Sequence, residues 1–415
     1  MAKNFAAIYA RTGDSIALQQ SFFAVEETTK GTLKGPTGAD FFYTRAGGAI
    51  THTQPKVSSE HRSGRHNNDI YAEKKSTEWT VPAFVNINTA VAAGATELDP
   101  AVRVLWKSLL GRETVGAGVT FDAATDPDIT FSLFENGDKW SQQARGSFVE
   151  SGTITLPGNG VSGLEFSGRC ADRLRVGISK SVIDNDGGNT ITLAVAAEAK
   201  RFPVGCLVML VEANGTTRSA DTADGTYRKV TARDTGTGII TVDGAALADA
   251  DGSVALTPIY LCYAEPVTPV GISGIQTGLV GQITISGLAS GACLRSATVT
   301  LTNNHEVVDY CYGHDGLDTP FFVPGGRLDV AVELEMNLND QLIGLLDDLE
   351  TFTSQNINLF LGNQATRHFK VELPKIIFDV PSTSLPESGS IPVSFSGMGF
   401  QTTLDAADEV KVKYL

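Results

Sequence analysis

Apolar and polar residues alternate in RLDVAVELEM (327–336), with Leu328, Val330, Val332, Leu334 and Met336 on one side and Asp329, Glu333 and Glu335 on the other. A period of two marks a strand with one buried and one wet face, so the wet face here is acidic. Asn339 then precedes DQLIGLLDDLE, where Leu342, Leu345, Leu346 and Leu349 recur at i, i+3, i+4 and i+7. This predicts a capped amphipathic helix whose stripe lies on a sheet. INLFLG (357–362), FKVELPKIIFDV (369–380) and SIPVSFSGMGF (390–400) follow as strands.

The same order occurs upstream. WTVPAFVNI predicts a strand from Trp79, and Asp99-Pro100 reads as a side-chain cap with proline at the first helical position. The next segment, AVRVLWKSLLG, puts Val102, Leu105, Trp106, Leu109 and Leu110 on one stripe and stops at Gly111. Then come the strands ITFSLF (129–134), SFVESGTITLP (147–157) and SGLEFSGRC (162–170). Phe166-Ser167-Gly168 near the end of this unit recurs as Phe395-Ser396-Gly397 at the same place in the other. Elements in the same order plus a shared tripeptide imply a duplicated, mainly β (α+β) sandwich with one flanking helix per copy. Each copy also carries a long polar loop before its strand–helix pair: SSEHRSGRHNNDIYAEKKSTE after ITHTQPKV, and NNHEVVDYCYGHDGLDTPFFVPGG after LRSATVTLT. Long loops at equivalent positions favour a contact role.

Between the copies, ITLAVAA, GCLVMLVEA, GTYRKVTA, GIITVDG and PIYLCYA are separated by turn clusters such as DNDGGN and DADG. Short strands at this spacing predict a small inserted β-barrel or sandwich. VGQITISGLAS, after it, fits either a strand of the insert or a return to the second copy. The expected division is an N-terminal arm of one or two strands (1–46), a first unit (47–170), the insert (171–292) and a second unit (293–415).

At 415 residues the chain exceeds one compact core. A formal net charge of -15 argues against a general nucleic-acid binder, which needs cations to displace the counterions of phosphate. The five cysteines are scattered and unpaired in motif, which suits reduced thiols rather than a disulfide framework. Cys170, Cys206 and Cys262 lie in apolar strand contexts and are expected in the core. No apolar run predicts a signal peptide or a membrane span, so membrane insertion by this chain is not expected.

Candidate chemistry changes the picture little. His305, Asp309, Cys311, His314 and Asp315 crowd one loop, but their spacing matches no closed zinc site. With Tyr310 and Tyr312 interleaved, an aromatic interface loop is the simpler expectation. His61 and His66 flank a polar SGR tip, no nucleotide-binding glycine motif opens a helix, and Asp347-Asp348 lies on the wet side of its helix. Neither a catalytic residue nor a cofactor or metal is expected, and the chain does not read as an enzyme.

The chain resembles the tail tube (major tail) proteins of long, flexible-tailed bacteriophages. The resemblance rests on Glu26-Glu27-Thr28-Thr29-Lys30-Gly31-Thr32 with Pro36 and Asp40 after it, on Glu60-His61-Arg62-Ser63-Gly64-Arg65 followed by Lys74, Lys75 and a strand, and on the sandwich-plus-helix unit. It implies a virion protein whose duplicated subunits form three-fold rings imitating six, stacked into a hollow tube in the host cytoplasm. The implied partners are other copies of the chain, a tape-measure protein, tail-tip and terminator proteins, and genomic DNA passing without specific binding. The insert implies an outer decoration. On this reading neighbouring sheets join edge to edge, and Asp329, Glu333 and Glu335 are lumen-facing candidates, with a solvated outer face as the plainer alternative. Glu60, Arg62, Arg65, Lys74, Lys75, His305, Tyr310, Tyr312 and His314 are the ring-to-ring contact candidates, against a solvated loop tip. A different function class stays open: a virion or cell-surface adhesin binding glycan through the insert. A carbohydrate-active enzyme is poorer, since no acid pair stands out.

Overall fold

A computed structural model describes residues 3–415 except 13–19, 43, 46, 59–61, 64–65, 68–69, 73–74, 88–97, 117, 126, 184–187, 220, 223–224, 248–256, 267–274, 276–280, 287–293, 309–320, 324–325, 364–366, 382–389 and 405. It is mainly β. The first repeat is built from β1 (Ser21–Glu26), β2 (Ala49–Thr53), β3 (Ser76–Phe84), a helix numbered α2 below (Pro100–Leu110), a hairpin of β4 (Gly111–Val115) and β5 (Val119–Ala123), then β6 (Phe131–Asn136), β7 (Ser141–Pro157), β8 (Gly163–Arg169) and β9 (Asp172–Val176). A closed six-stranded barrel follows, from β10 (Ser179–Ile183), β11 (Thr190–Leu193), β12 (Leu207–Glu212), β13 (Arg228–Arg233), β14 (Ile239–Val242) and β15 (Thr257–Tyr263). The second repeat comprises β16 (Gly281–Ile285), β17 (Leu294–Asn303), β18 (Leu328–Asn337), α3 (Asp340–Glu350), β19 (Gln355–Asn363), β20 (Arg367–Phe378), β21 (Pro392–Gly399) and β22 (Lys411–Tyr414).

The two repeats have one topology. In the first, neighbours run β2-β3-β8-β7-β6-β1, with β9 beside the start of β7. In the second they run β17-β18-β21-β20-β19-β16, with β22 beside the start of β20. The correspondence reaches individual residues. Gly168 stands opposite Trp79 and Val149, and Gly397 opposite Val332 and Phe378. A register shift falls between Phe131 and Leu133 in β6 and, at the matching place, between Gln355 and Ile357 in β19. The shared tripeptide has a physical cause. A Cβ on Gly168 would run into the backbone oxygen of Phe148, and one on Gly397 would sit 2.9 Å from the backbone oxygen of Ile377, the matching residue. Neither backbone leaves room for a side chain.

The helices follow their stripes. Val102, Leu105, Trp106, Leu109 and Leu110 are buried on α2, as are Leu342, Leu345 and Leu349 on α3. Asn339 caps α3 as expected, its side chain accepting from the Leu342 N–H at 3.0 Å. Asp99 does not cap with its side chain. Pro100 supplies no N–H at the first position, and the Asp99 carboxyl is buried instead, which pushes its pKa up to about 7.

The repeats are fused through sheet and core. The C-terminal half of β7 pairs along its length with β17, so a continuous sheet passes from the first repeat into the second. On the other side β5 pairs with β22, and Trp106 donates its indole N–H to the Tyr414 hydroxyl at 3.1 Å. One hydrophobic cluster therefore runs from Phe22 to Tyr414.

Two local outcomes differ from the sequence expectations, and a third settles an alternative they left open. FAAIYA is a helix, α1 (Phe5–Ala10), not a strand, because Asn4 caps it and Phe5 and Ile8 bury against the barrel. The stretch read as an arm supplies β1, which is buried on both faces: Phe22 and Ala24 face the shared core, while Phe23 meets Phe134, Leu207 and Ala264 beneath the barrel. VGQITISG returns to the second repeat, since β16 pairs with β19 as β1 pairs with β6.

The barrel is docked through polar groups. Gln143 bonds both ways to the Leu207 backbone, at 2.7 and 2.8 Å, and Asn136 donates to the Ala264 carbonyl and to Glu265. Lys3 reaches Glu265 at 3.1 Å. Burial raises the Glu265 pKa and lowers that of Lys3, while their mutual attraction opposes both shifts.

Candidate functional surface

Strand pairing places directly opposite residues on the same face of a sheet, which assigns the solvent face of the shared sheet residue by residue. One row crosses it through Ala49, Thr80, Ser167, Ser151, Thr302 and Asp329. Another runs through Gly163, Thr155, Thr298, Glu333 and Ser396, and between them lie Glu165, Thr153, Thr300, Ala331 and Met398. The far side of the same strands carries Ile50, Trp79, Val81, Ile154, Val299, Val332, Leu334 and Phe395, all buried. Alternation thus builds a surface of hydroxyls and carboxylates over an apolar core. The only large apolar side chain exposed among the rows described here is Met398.

All three lumen-facing candidates lie on this surface. Glu333 is exposed, whereas Asp329 and Glu335 are half-exposed and paired with Arg327 at 3.4 Å and Arg295 at 2.9 Å. Sequence reasoning missed the acids of the first repeat. Alternation from Thr80 leads to Pro82 and Phe84, but Glu78, at the start of β3, and Glu165, on β8, share the face and are both exposed. Counting back two residues from Thr80 would have found Glu78; Glu165 needs the β3–β8 register. Arg169 lies there as well and pairs with Glu150 at 3.2 Å. Pairings of this exposure contribute at most a few tenths of a kcal/mol to about 1 kcal/mol.

The contact candidates are only partly within the described residues. Glu60, Arg65, Lys74, Tyr310, Tyr312 and His314 lie outside them, as do Asp309, Cys311 and Asp315. Arg62 belongs to a two-residue ladder, Arg62–Ser63 with His66–Asn67, beyond a second one, Lys56–Ser58 with Ile70–Ala72. Lys75 is exposed just before β3. The second repeat has a matching ladder, Glu306–Val308 with Phe321–Val323, between β17 and β18. Both arms leave between matching strands. His305 sits at the root of the second arm, edge-on to Phe148 at 5.3 Å, and burial lowers its pKa.

The motif that opens the resemblance is built around Glu27. Its carboxylate accepts from the Gly31 and Gly146 N–H groups at 2.7 and 2.8 Å and from the Thr130 and Ser132 hydroxyls at 2.8 and 3.1 Å. It thereby ties the end of β1 to β6 and to the bend of β7. Cys170, Cys206 and Cys262 are buried, and burial pushes the Cys170 thiol up to about 12. Among the described residues no group of three or more His, Cys, Asp or Glu could hold a metal ion, and no helix is long and apolar enough to cross a membrane. Neither a protein-family model nor a curated protein matches the chain.

Proposed function

We propose that the chain is a structural, self-assembling subunit of a phage tail tube, with the hydroxyl and carboxylate face lining the channel. The observation that carries this reading is the tandem repeat: two copies of one strand order share a sheet whose wet face is rich in Ser, Thr, Asp and Glu, with arginines paired to some of its carboxylates. Around a closed ring, such a face repels phosphate from every side and offers the polymer only exchangeable, water-mediated hydrogen bonds. DNA then slides rather than sticks. Three duplicated subunits per ring would supply six units around the bore, and the paired hairpin arms between matching strands would reach the next ring, where weak contacts add by multivalency. The barrel lies across the core from the wet face, separated from it by the β1–β6 layer, and on this reading it would decorate the outside of the tube. A tape-measure protein inside the bore and terminator and tip proteins at its ends complete the partners of this reading.

Electron microscopy of the concentrated, purified protein tests it. Rings or tubes with a central channel are expected. Particles that stay single and compact under all conditions, alone or with tail-tip extracts, would overturn the proposal.

A further inference from the structure

Residues 3–11 precede β1 in the chain, yet they lie on the barrel, whose strands begin at Ser179. The helix α1 buries Phe5 and Ile8 among barrel residues, with Phe5 edge-on to Tyr263 at 5.6 Å and Tyr9 beside Tyr260 at 5.9 Å. The Phe5 N–H donates to the Gly215 carbonyl at 2.8 Å. Gly215 has a φ of +75°, and a Cβ there would stand 2.4 Å from the backbone nitrogen of Ala6, so a glycine of the barrel makes room for the segment.

Both ends of the same segment are fixed to the turn between β6 and β7, which belongs to the first repeat. At one end Lys3 donates to the Gly137 carbonyl at 2.7 Å, to the Tyr263 hydroxyl at 3.2 Å and to Glu265 at 3.1 Å, and the Tyr263 hydroxyl donates to that Gly137 carbonyl at 2.7 Å. At the other end Arg11 pairs with the buried Asp138 carboxylate, and Lys139 donates to the Arg11 carbonyl at 2.7 Å. The segment thus straddles the joint between barrel and repeat. Among the described residues no barrel strand pairs with a strand of either repeat. The inner seat consists of the Gln143 and Asn136 bonds, the small cluster around Phe23 and Leu207, and the Tyr227 hydroxyl, which donates to the Pro36 carbonyl at 2.8 Å.

We propose that residues 3–11 form a reversible clasp, which opens as a unit while barrel and repeats stay folded and so lets the barrel rock on its inner seat. A six-residue helix does not hold itself, so α1 persists only while docked. Its hold comes from two apolar anchors and two ion pairs, and the desolvation of such pairs offsets much of their attraction. Opening returns those charges to water and breaks no strand ladder, which makes it a smaller event than unfolding. Coupling runs both ways: a contact that captures residues 3–11 elsewhere loosens the barrel, and a displaced barrel frees them. The device goes beyond assembly and does not depend on it.

Hydrogen exchange of the full chain tests the opening. The amides of Phe5, Ile8 and Arg11, which donate to the Gly215, Asn4 and Ala7 carbonyls, should exchange together and at least about a hundredfold faster than the most protected amides of β7. Trypsin should cut after Arg11 before it cuts within any strand. A segment that exchanges only when β7 does overturns the clasp. The hold on the barrel is read from the distance between spin labels at two exposed positions, Thr114→Cys on β4 and Lys200→Cys between β11 and β12, with Cys293 and Cys311 replaced by Ser. Phe5→Ala with Ile8→Ala removes the anchors from the segment, and Gly215→Val blocks their seat from the barrel side. Either change should widen the distance distribution at least about twofold while β7 keeps its protection. The double-alanine variant leaves every barrel residue in place, so it decides the matter should Gly215→Val fail to fold. An unchanged distribution in that variant, with residues 3–11 exchanging as fast as a free peptide, overturns the holding role.

Discussion

Where the first repeat buries Trp79, the second buries Val332; where the first buries Phe131, the second buries Gln355, whose amide oxygen accepts from the Ser286 hydroxyl at 2.8 Å. The first copy has an aromatic centre, with Trp106 edge-on to Phe166 at 4.9 Å and Trp79 edge-on to Phe131 at 5.5 Å. The second is mostly aliphatic apart from Phe369, Phe378, Phe395 and Tyr414. Side-chain identity was free to change so long as inward positions stayed buried and any polar intruder found a partner. What did not change is backbone geometry: the register shift, the helix of equal length and the glycine where strands cross too closely for a Cβ.

The comparison can be broken hardest at its shared points. Gly168→Val should cost more than about 3 kcal/mol, because backbone rather than side chain blocks the new Cβ. Gly397→Val should cost less, since its nearest obstacle is the Phe378 ring, which can turn; urea unfolding of the two variants gives the order. Trp106→Ala should lose roughly 3–5 kcal/mol, as it empties the seam between repeats and strands the Tyr414 hydroxyl, whereas Leu345→Ala on the other helix should lose about 2–4 kcal/mol.

The helix starts separate the copies by pH. The Asp99 carboxyl has its pKa raised to about 7 in the fold, so its contribution is fully present below its ordinary value near 4 and is lost as pH rises through about 7. Stability should therefore fall between about pH 4 and pH 7, by up to about 4 kcal/mol, and Asp99→Asn should flatten that slope in thermal melts. Asn339 does not titrate, so Asn339→Ala should cost about 1 kcal/mol at any pH. The smallest expected stability effect belongs to the wet face. Glu165→Lys and Glu333→Lys, one in each repeat, should stay within about 0.5 kcal/mol in denaturation yet slow DNA release from assembled particles. Equal release rates would move that face away from the channel.

Much of this was readable along the chain. The period of two in β18, the leucine stripe of α3 with its Asn339 cap, the repeat order and an insert of short strands all follow from spacing and turn chemistry, while the structure decided for a closed barrel over a sandwich. Glu165 could not be placed on the wet face, nor β1 and β16 in matching seats, because those assignments depend on which strand lies alongside. Asp99 shows the same limit: its residue type favours capping, and burial under its surroundings overrode that preference.

Local periodicity and residue chemistry act over a turn of helix or a few strand residues, and they were enough to dictate most of the elements, the wet and dry sides of β18 and the fact of duplication. Pairing partners, the seam through Trp106 and Tyr414, and the gathering of carboxylates from both copies onto one surface needed contacts between distant segments. Those contacts form only when the whole chain buries its apolar faces together, and no stretch read alone contains them.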